Sequence, residues 1–246
     1  MSKETLIILS AGHSNVPGRD RGASANGYVE GDLTVELRQL VYVELMKLGI
    51  EPIVDGNNSI FTESINYFRK KVNSKSLNVE FHWNSGPSLA TGVETIVPVN
   101  PSATETRIAE LLSGAISILL GIPKRGNNGV KTEADTHHGK LAWMRLVGEN
   151  ILVEVCFISN PKDMDSYMAN KFQLAKKIAQ ILHNEVKEFK VFTQNYPVVK
   201  YTVKTNDTLS SISRMYNTSV EAIKKENNLT SDLIHTSQTL LITNKN

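Results

Sequence analysis

Residues 151–157 read ILVEVCF, a run of apolar side chains around one carboxylate, Glu154. A short run that is apolar at successive positions is typical of a strand buried on both faces, as in the centre of a parallel sheet. An unpaired buried carboxylate is costly, so Glu154 needs a partner, a metal ion or a proton there. A desolvated glutamate also has a raised pKa, which suits acid–base chemistry near neutrality. The alternative is an alternating strand whose outward face happens to carry Glu154.

Short β-rich runs and amphipathic helical stretches alternate around this strand, from residue 5 to about residue 190. We predict further strands over residues 5–9, 77–81, 93–97 and 141–146, and helices over residues 33–48, 61–72, 102–119 and 172–189. Residues 121–139 are rich in Gly, Asn and charge and predict a long surface loop. The alternation favours an α/β domain with a mostly parallel, twisted sheet flanked by helices.

The end of the chain predicts a second, smaller unit. Residues 190–199 lack periodicity and include Gln194, Asn195 and Pro197, which is typical of a linker. A strand, two short helices and a closing strand follow, which makes a βααβ unit. The predicted organisation is a first domain over residues 1–190, a linker over 191–199 and a small domain over 200–246.

Composition excludes several classes of protein. The 246 residues carry 27 basic and 25 acidic side chains, so the chain is not a strongly basic nucleic-acid-binding protein. We therefore expect no nucleic-acid partner. Cys156 is the only cysteine, and its apolar surroundings predict an inert buried thiol. The sequence contains neither a run of about 18 apolar residues nor a recognisable secretory leader, so we expect no transmembrane helix and synthesis in the cytoplasm.

Two histidines stand where predicted strands end. His13 follows the first strand directly after Gly12, and His82 closes the strand that contains Phe81. Ligands of open α/β sheets gather at such strand ends, and two neutral imidazoles with one carboxylate suit Zn²⁺ with an open fourth position. Glu30, in the loop that leads into the first helix, is the candidate carboxylate. The alternative is that both histidines are packing residues and that Glu30 is favoured only by the helix dipole.

His137 and His138 form a second histidine pair, inside the predicted surface loop. Adjacent residues do not readily point at one ion, and the neighbouring Glu133, Asp135 and Lys140 indicate a solvated segment. We therefore assign this pair no metal.

Several ordered motifs together resemble a known family. They are ILSAGH (8–13), GA (22–23) before Glu30, FHWNS (81–85), TGVE (91–94) and LVEVCFISN (152–160) with Asp163. Over about residues 5–188 the chain resembles the zinc-dependent N-acetylmuramoyl-L-alanine amidases of sporulation, cell division and phage lysis. Ser10 stands where that family usually has Asp, Phe81 replaces a smaller residue, and Val155-Cys156 is a bulkier pair than usual.

The resemblance implies roles for individual residues. His13, Glu30 and His82 would bind Zn²⁺, and Glu154 would be catalytic. Asn84 and Asn160 are weaker candidates, either for hydrogen bonds to the substrate or for hydrogen bonds to the side chains that bind the metal. The implied substrate is peptidoglycan, cut at the amide between N-acetylmuramic acid and L-alanine.

The tail resembles a LysM module. The matching residues are YTVK (201–204), DTL (207–209), Ile212, Tyr216, Ile223, NNL (227–229), Ile234 and QTLLI (238–242). This resemblance implies a βααβ fold that binds glycans containing N-acetylglucosamine. Asn206 and Ser237 replace glycines common in that module.

Two other functions remain open at this point: a zinc carboxypeptidase-like peptidase acting on stem peptides, and a glycan-binding protein without activity. If the chain is an amidase, it is expected to be a phage endolysin, a bacterial autolysin or a phage tail component. An endolysin or autolysin of this kind would act at the cell wall after release by a holin or by lysis.

Overall fold

The computed structural model describes residues 5–57, 59–137, 139–193, 198–227 and 229–243, with the backbone alone for residues 187–193. Predictions made for His138, Asn228 and the linker residues Gln194, Asn195 and Pro197 lie outside these ranges. The chain divides into two units, residues 1–191 and 192–246. No helix in the described part combines the length and the apolar character needed to cross a bilayer.

The strands, in chain order, are β1 (Ile7–Ala11), β2 (Ser24–Ala25), β3 (Tyr28–Val29), β4 (Ile53–Val54), β5 (Leu77–Asn84), β6 (Glu94–Val97), β7 (Val130–Thr132), β8 (Glu149–Phe157), β9 (Val198–Thr202) and β10 (Thr239–Thr243). The helices are α1 (Glu30–Lys47), α2 (Phe61–Arg69), α3 (Ala103–Leu120), α4 (Pro161–Thr193), α5 (Leu209–Met215) and α6 (Val220–Glu226), with 3₁₀ turns at Glu133–Asp135 and Ala142–Arg145.

A six-stranded sheet in the order β4-β1-β5-β8-β6-β7 forms the first unit. Its neighbours pair in parallel except for β6 and β8, which are antiparallel. The prediction of a mostly parallel α/β sheet is therefore confirmed, and β8, the 151–157 run, lies inside the sheet rather than at its edge.

The two faces of the sheet bury different side chains. Leu77, Val79 and Phe81 of β5 pack on one face in the larger core with residues of α1, α3 and α4. The smaller core on the other face contains Ile8 and Leu152, covered by α2 and the 142–145 turn. Since strand side chains alternate, the even-numbered residues of β5 point to this second face.

Helix α3 begins as predicted. Ser102 Oγ accepts a hydrogen bond from the Glu105 amide at 2.9 Å, and the Glu105 carboxylate accepts one from the Ser102 amide at 2.8 Å. This reciprocal capping satisfies two amides that would otherwise lack partners.

Three predicted elements differ in the structure. Residues 141–146 form no strand: they make the 3₁₀ turn, and the buried Trp143 indole donates to the Ile151 carbonyl at 3.0 Å. Helix α4 begins at Pro161 rather than at residue 172, because Asn160 Oδ1 accepts from the Lys162 amide at 3.0 Å and proline suits the first helical turn. The predicted loop 121–139 contains β7 and a 3₁₀ turn.

The second unit has its own core, which includes Leu209, Ile212, Ile223, Leu240 and Ile242. β9 and β10 pair antiparallel, and α5 and α6 lie between them in sequence, which is the predicted βααβ order. α4 extends to Thr193 and β9 begins at Val198, so both ends of the predicted linker 191–199 belong to regular elements.

Candidate metal centre

Three connections of the first unit bring His13, Glu30 and His82 together. His13 follows β1, Glu30 is the first residue of α1, and His82 lies near the end of β5. One ligand atom from each lies within 4.8 Å of the others. Glu30 Oε1 is 3.4 Å from His13 Nε2 and 3.1 Å from His82 Nδ1, and the two rings meet edge to face at a centroid distance of 5.0 Å.

Two glycines leave the space that this cluster needs. A Cβ at Gly12 would lie 2.1 Å from His82 Nε2, well inside van der Waals contact. A Cβ at Gly22 would lie 2.4 Å from Glu30 Oε2, and this glycine also has a φ of +66°. Each glycine therefore permits a close approach of backbone to a proposed ligand.

The Glu30 carboxylate is held on both oxygens. Its Oε2 accepts from the Ala23 amide at 2.8 Å and its Oε1 from the Trp83 amide at 3.0 Å. Burial raises the pKa of Glu30, but hydrogen bonds and charge from His13 and His82 outweigh it and hold the pKa well below its usual value. Glu30 is therefore an ionised, oriented ligand candidate.

The outer ring nitrogens of both histidines face carboxylates. His13 Nδ1 lies 3.2 Å from Asp20 Oδ1, and His82 Nε2 lies 3.5 Å from Glu80 Oε2. Burial lowers the pKa of His82, but its contacts with Glu30 and Glu80 outweigh this and raise the pKa well above its usual value. The other nitrogen of each ring, His13 Nε2 and His82 Nδ1, faces Glu30.

Glu154 lies beside this cluster, because β8 pairs it with His82 of β5 and with Glu94 of β6. Its Oε2 is buried and has no hydrogen-bond partner among the described residues. Burial is the main cause that raises the pKa of Glu154 to about 7. A carboxylate with this pKa gains and loses a proton near neutrality, as a general base and acid must.

The cluster lies in a cavity of about 400 Å³. Asn84 lines it, with its amide nitrogen donating to Glu94 Oε1 at 3.0 Å. Asn160 does not line it. Its side chain caps α4, donates to the Ala90 carbonyl at 3.0 Å and borders a different cavity of about 710 Å³.

One wall of the cavity comes from residues that the sequence did not single out as functional. Asp135, Thr136 and His137 line it from the segment after β7. The buried Glu133 anchors this segment through Arg145 Nη1 at 2.7 Å and the Leu141 amide at 2.8 Å. The loop is thus a wall of the site. The sequence carried no signal for this, because a polar segment reads as solvent-exposed and the burial of Glu133 is visible only in the structure.

The donor set fits a zinc ion. Two imidazoles and one carboxylate are the ligands found in catalytic zinc sites that keep a position open. The orphaned Glu154 oxygen faces the same cavity, beside the three ligand candidates. The arrangement can hold a metal and a proton acceptor side by side.

Family profiles match both units. A profile described as N-acetylmuramoyl-L-alanine amidase matches residues 7–184, and one described as LysM domain matches residues 201–243.

Individual proteins show the same similarity. The chain is 27% identical over 184 residues to YqiI of Bacillus subtilis, a protein described as uncharacterised, covering 74% of this chain and 84% of YqiI. It is 26% identical over 181 residues to the amidase LytC of Bacillus subtilis, covering 72% of this chain and 34% of LytC. A crystal structure from Neisseria meningitidis, described as an N-acetylmuramoyl-L-alanine amidase, superposes with a TM-score of 0.62 at 26% identity, covering 74% of this chain and 96% of that one.

Proposed function

Because the chain belongs to the N-acetylmuramoyl-L-alanine amidase family, we propose that it hydrolyses peptidoglycan at the amide between N-acetylmuramic acid and L-alanine with a zinc ion held by His13, Glu30 and His82. The observation that carries the proposal is the convergence of these three side chains within 4.8 Å, beside a carboxyl with a pKa of about 7. When bound, zinc supplies a Lewis acid that polarises the scissile carbonyl.

Glu154 handles the proton in this proposal. Its carboxylate accepts a proton from the attacking water, whose oxygen bonds to the carbonyl carbon. The same carboxyl then donates that proton to the alanine nitrogen as the carbon–nitrogen bond breaks. The products are a lactyl carboxylate on the glycan and a peptide with a free L-alanine amine. The pKa of about 7 belongs to the metal-free chain, and a bound metal ion would lower it, which favours the ionised carboxylate that first accepts the proton.

The second unit anchors the enzyme in this proposal. Its LysM match supports binding of glycans that contain N-acetylglucosamine, and such binding raises the local concentration of the first unit at the wall. Release by a holin or by lysis stays a prediction. Comparing wall digestion by intact producing cells with digestion after their lysis tests it.

The test of the cut position is mass spectrometry of digested peptidoglycan. Free peptides that begin with L-alanine, together with glycans that keep the lactyl group, support the amidase. Shortened peptides still attached to glycan would support the peptidase alternative, and no turnover at all would support a binding protein.

The test of the metal site is elemental analysis of His13→Ala, Glu30→Ala and His82→Ala after dialysis. Each should lose zinc and activity, because two remaining ligands hold zinc poorly. Stoichiometric zinc in any one variant would remove that residue from the ligand set.

A further inference from the structure

Behind the proposed metal site, on the side of the sheet covered by α2, lies a buried cluster of polar side chains: Ser10, Arg38, Asp55, Ser64 and Glu80. Ser10 comes from β1 and Glu80 from β5, and the two residues are paired in the parallel ladder. Glu80 is 1% exposed and stands between Val79 and Phe81, both fully buried. A carboxyl in such a position is costly unless its oxygens have partners.

Asp55 has its own partners. It forms an ion pair with the buried guanidinium of Arg38 and accepts a hydrogen bond from Ser64 Oγ at 2.5 Å. The Ser10 hydroxyl lies 3.2 Å from Asp55 Oδ2 and 3.2 Å from Glu80 Oε1. A hydroxyl has one proton to donate, and Asp55 already has donors. The Ser10 proton is therefore available to Glu80 Oε1.

The other oxygen of Glu80 faces the metal site. Oε2 lies 3.5 Å from His82 Nε2, while His82 Nδ1, on the opposite edge of the ring, lies 3.1 Å from Glu30 Oε1. A neutral imidazole carries one proton, and a neighbouring carboxylate attracts it to the nitrogen that it faces. Both nitrogens face carboxylates, but Glu30 is itself a proposed ligand. A metal ion bound between Glu30 and Nδ1 would displace the proton from Nδ1 and leave Nε2, which faces Glu80, to carry the one proton of the neutral ring.

We propose that Glu80 is a positioning residue that holds the Nε2 proton of His82, so that Nδ1 binds the metal, and that Ser10 orients Glu80 for this purpose. The inference rests on the metal site of the proposed function. Hydrogen bonds from a carboxylate to a metal-binding histidine fix the tautomer and the ring orientation, and their loss typically weakens metal binding about 10- to 100-fold.

His13 provides an internal comparison. Its Nδ1 lies 3.2 Å from Asp20 Oδ1, but the Asp20 side chain is 62% exposed and that of Glu80 is 2% exposed. Water can replace the Asp20 carboxylate, whereas it has little access to the position of Glu80. We therefore expect Asp20→Asn to weaken zinc binding less than changes at Glu80.

The experiment measures the zinc dissociation constant of the full-length chain by competition with a chromophoric chelator. The variants are Glu80→Gln, which keeps an oxygen that can accept from Nε2, and Glu80→Ala, which removes it. We expect Glu80→Ala to bind zinc about 10- to 100-fold more weakly and Glu80→Gln to lie between it and the wild type. Glu105→Gln is the matched control, a buried glutamate whose carboxylate accepts from the Ser102 amide before α3 and from the Asn150 amide near the start of β8, and it should leave zinc binding unchanged.

A second readout is spectroscopic. Nitrogen-15 NMR of histidine-labelled, zinc-loaded wild-type chain should show a proton on His82 Nε2 and none on Nδ1. The same spectrum of zinc-loaded Glu80→Gln carries the test even if Glu80→Ala fails to fold. The chemical shift of the Nε2 proton should move toward that of a more weakly hydrogen-bonded proton, and an unchanged shift would overturn the positioning role of Glu80.

Two further results would overturn the inference while leaving the proposed function intact: equal zinc affinity in Glu80→Ala and wild type, or a zinc-loaded His82 with its proton on Nδ1. Absence of zinc binding by the wild-type chain is a different outcome, and it would overturn the proposed metal site and this inference together.

Discussion

Glu154 shows how one residue depends on its neighbours across three strands. Its ladder partners are His82 on β5 and Glu94 on β6. Glu94 is engaged by Arg125 at 2.8 Å and Lys131 at 2.7 Å, whereas Glu154 Oε2 has no hydrogen-bond partner among the described residues. Two carboxylates side by side thus have different environments, and Glu154, which forms no ion pair with a lysine or arginine among the described residues, is the one suited to exchanging a proton.

Glu154→Gln should remove most activity, by at least about 100-fold, because the amide keeps the shape of the side chain but cannot accept the proton. Turnover of soluble muropeptides measures the loss. Zinc content by elemental analysis and the circular dichroism spectrum should match the wild type. Loss of zinc from this variant would place Glu154 among the ligands instead.

The same substitution should change the pH dependence of stability in the metal-free chain. The pKa of Glu154 is raised from 4.5 to about 7 on folding, so the folded state disfavours the charged form. The resulting decrease in the free energy of unfolding is absent below about pH 4, grows as the pH rises from about 4.5 to 7, and is constant above about pH 7. Glu154→Gln removes this decrease.

The metal-free variant should therefore be more stable than wild type at about pH 8, by at most about 3 kcal/mol, and equal to it near pH 4. Urea unfolding in the presence of a chelator measures the free energy of unfolding of the variant and the wild type at both pH values. A difference of the same size at the two pH values would show that ionisation of Glu154 is not its source.

At the scale of elements, the proposed ligands belong to the ends of strands and the start of a helix. β1 and β5 are parallel neighbours, so their carboxyl ends meet at one edge of the sheet. The short β2–β3 hairpin then leads directly into α1 and places Glu30 at its first turn. These junctions need close backbone approaches, which explains why glycine stands at residue 12.

Gly12→Ala should displace the His82 ring, since the added Cβ would lie 2.1 Å from Nε2. We expect zinc affinity to fall at least about 10-fold, which is the loss typical of changes to residues that hold a metal-binding side chain in place. Zinc titration of the metal-free chain measures it. Gly114→Ala is the control, because a Cβ there meets nothing within 4 Å, and alanine favours the interior of α3 by up to about 1 kcal/mol. Equal zinc affinity in Gly12→Ala and wild type would show that the ring tolerates the contact.

At the scale of the whole molecule, each of the two units has its own buried core. All four proposed site residues, His13, Glu30, His82 and Glu154, belong to the first unit. The chemistry and the proposed anchoring can therefore be separated by cutting the chain between α4 and β9.

A chain that ends after residue 195 should keep its zinc and cleave soluble muropeptides at a nearly unchanged rate, while its binding to intact sacculi falls. The reason is that tethering raises local concentration without altering the reaction. Sedimentation with sacculi measures binding, and a fragment over residues 198–246, which keeps all of β9, should sediment without digesting. Undiminished sacculus binding by the shortened chain would contradict the anchoring role.

The sequence by itself determined the features that depend on neighbouring residues. The buried strand around Glu154, the capping of α3 by Ser102 and Glu105, and the histidines at the ends of β1 and β5 were all readable, because periodicity and capping act over a few residues. The 3₁₀ turn at 142–145 was misread as a strand, since a short apolar run does not reveal whether a ladder partner exists. The start of α4 was placed too late because its first turns are mostly polar.

Only the tertiary structure decided which of these groups meet. Glu30 and His82 are separated by 52 residues and come to 3.1 Å only through the parallel pairing of strands and the entry into α1. The same pairing sets Glu80 behind His82, and the fold of residues 133–137 brings a wall to the cavity. Glu80 was not singled out from the sequence, because its role depends on the side chains that lie beside it on the same face of the sheet. Those neighbours, Ser10 on β1 and His82 on β5, are brought together by strand pairing and register, which are long-range properties that local sequence does not encode.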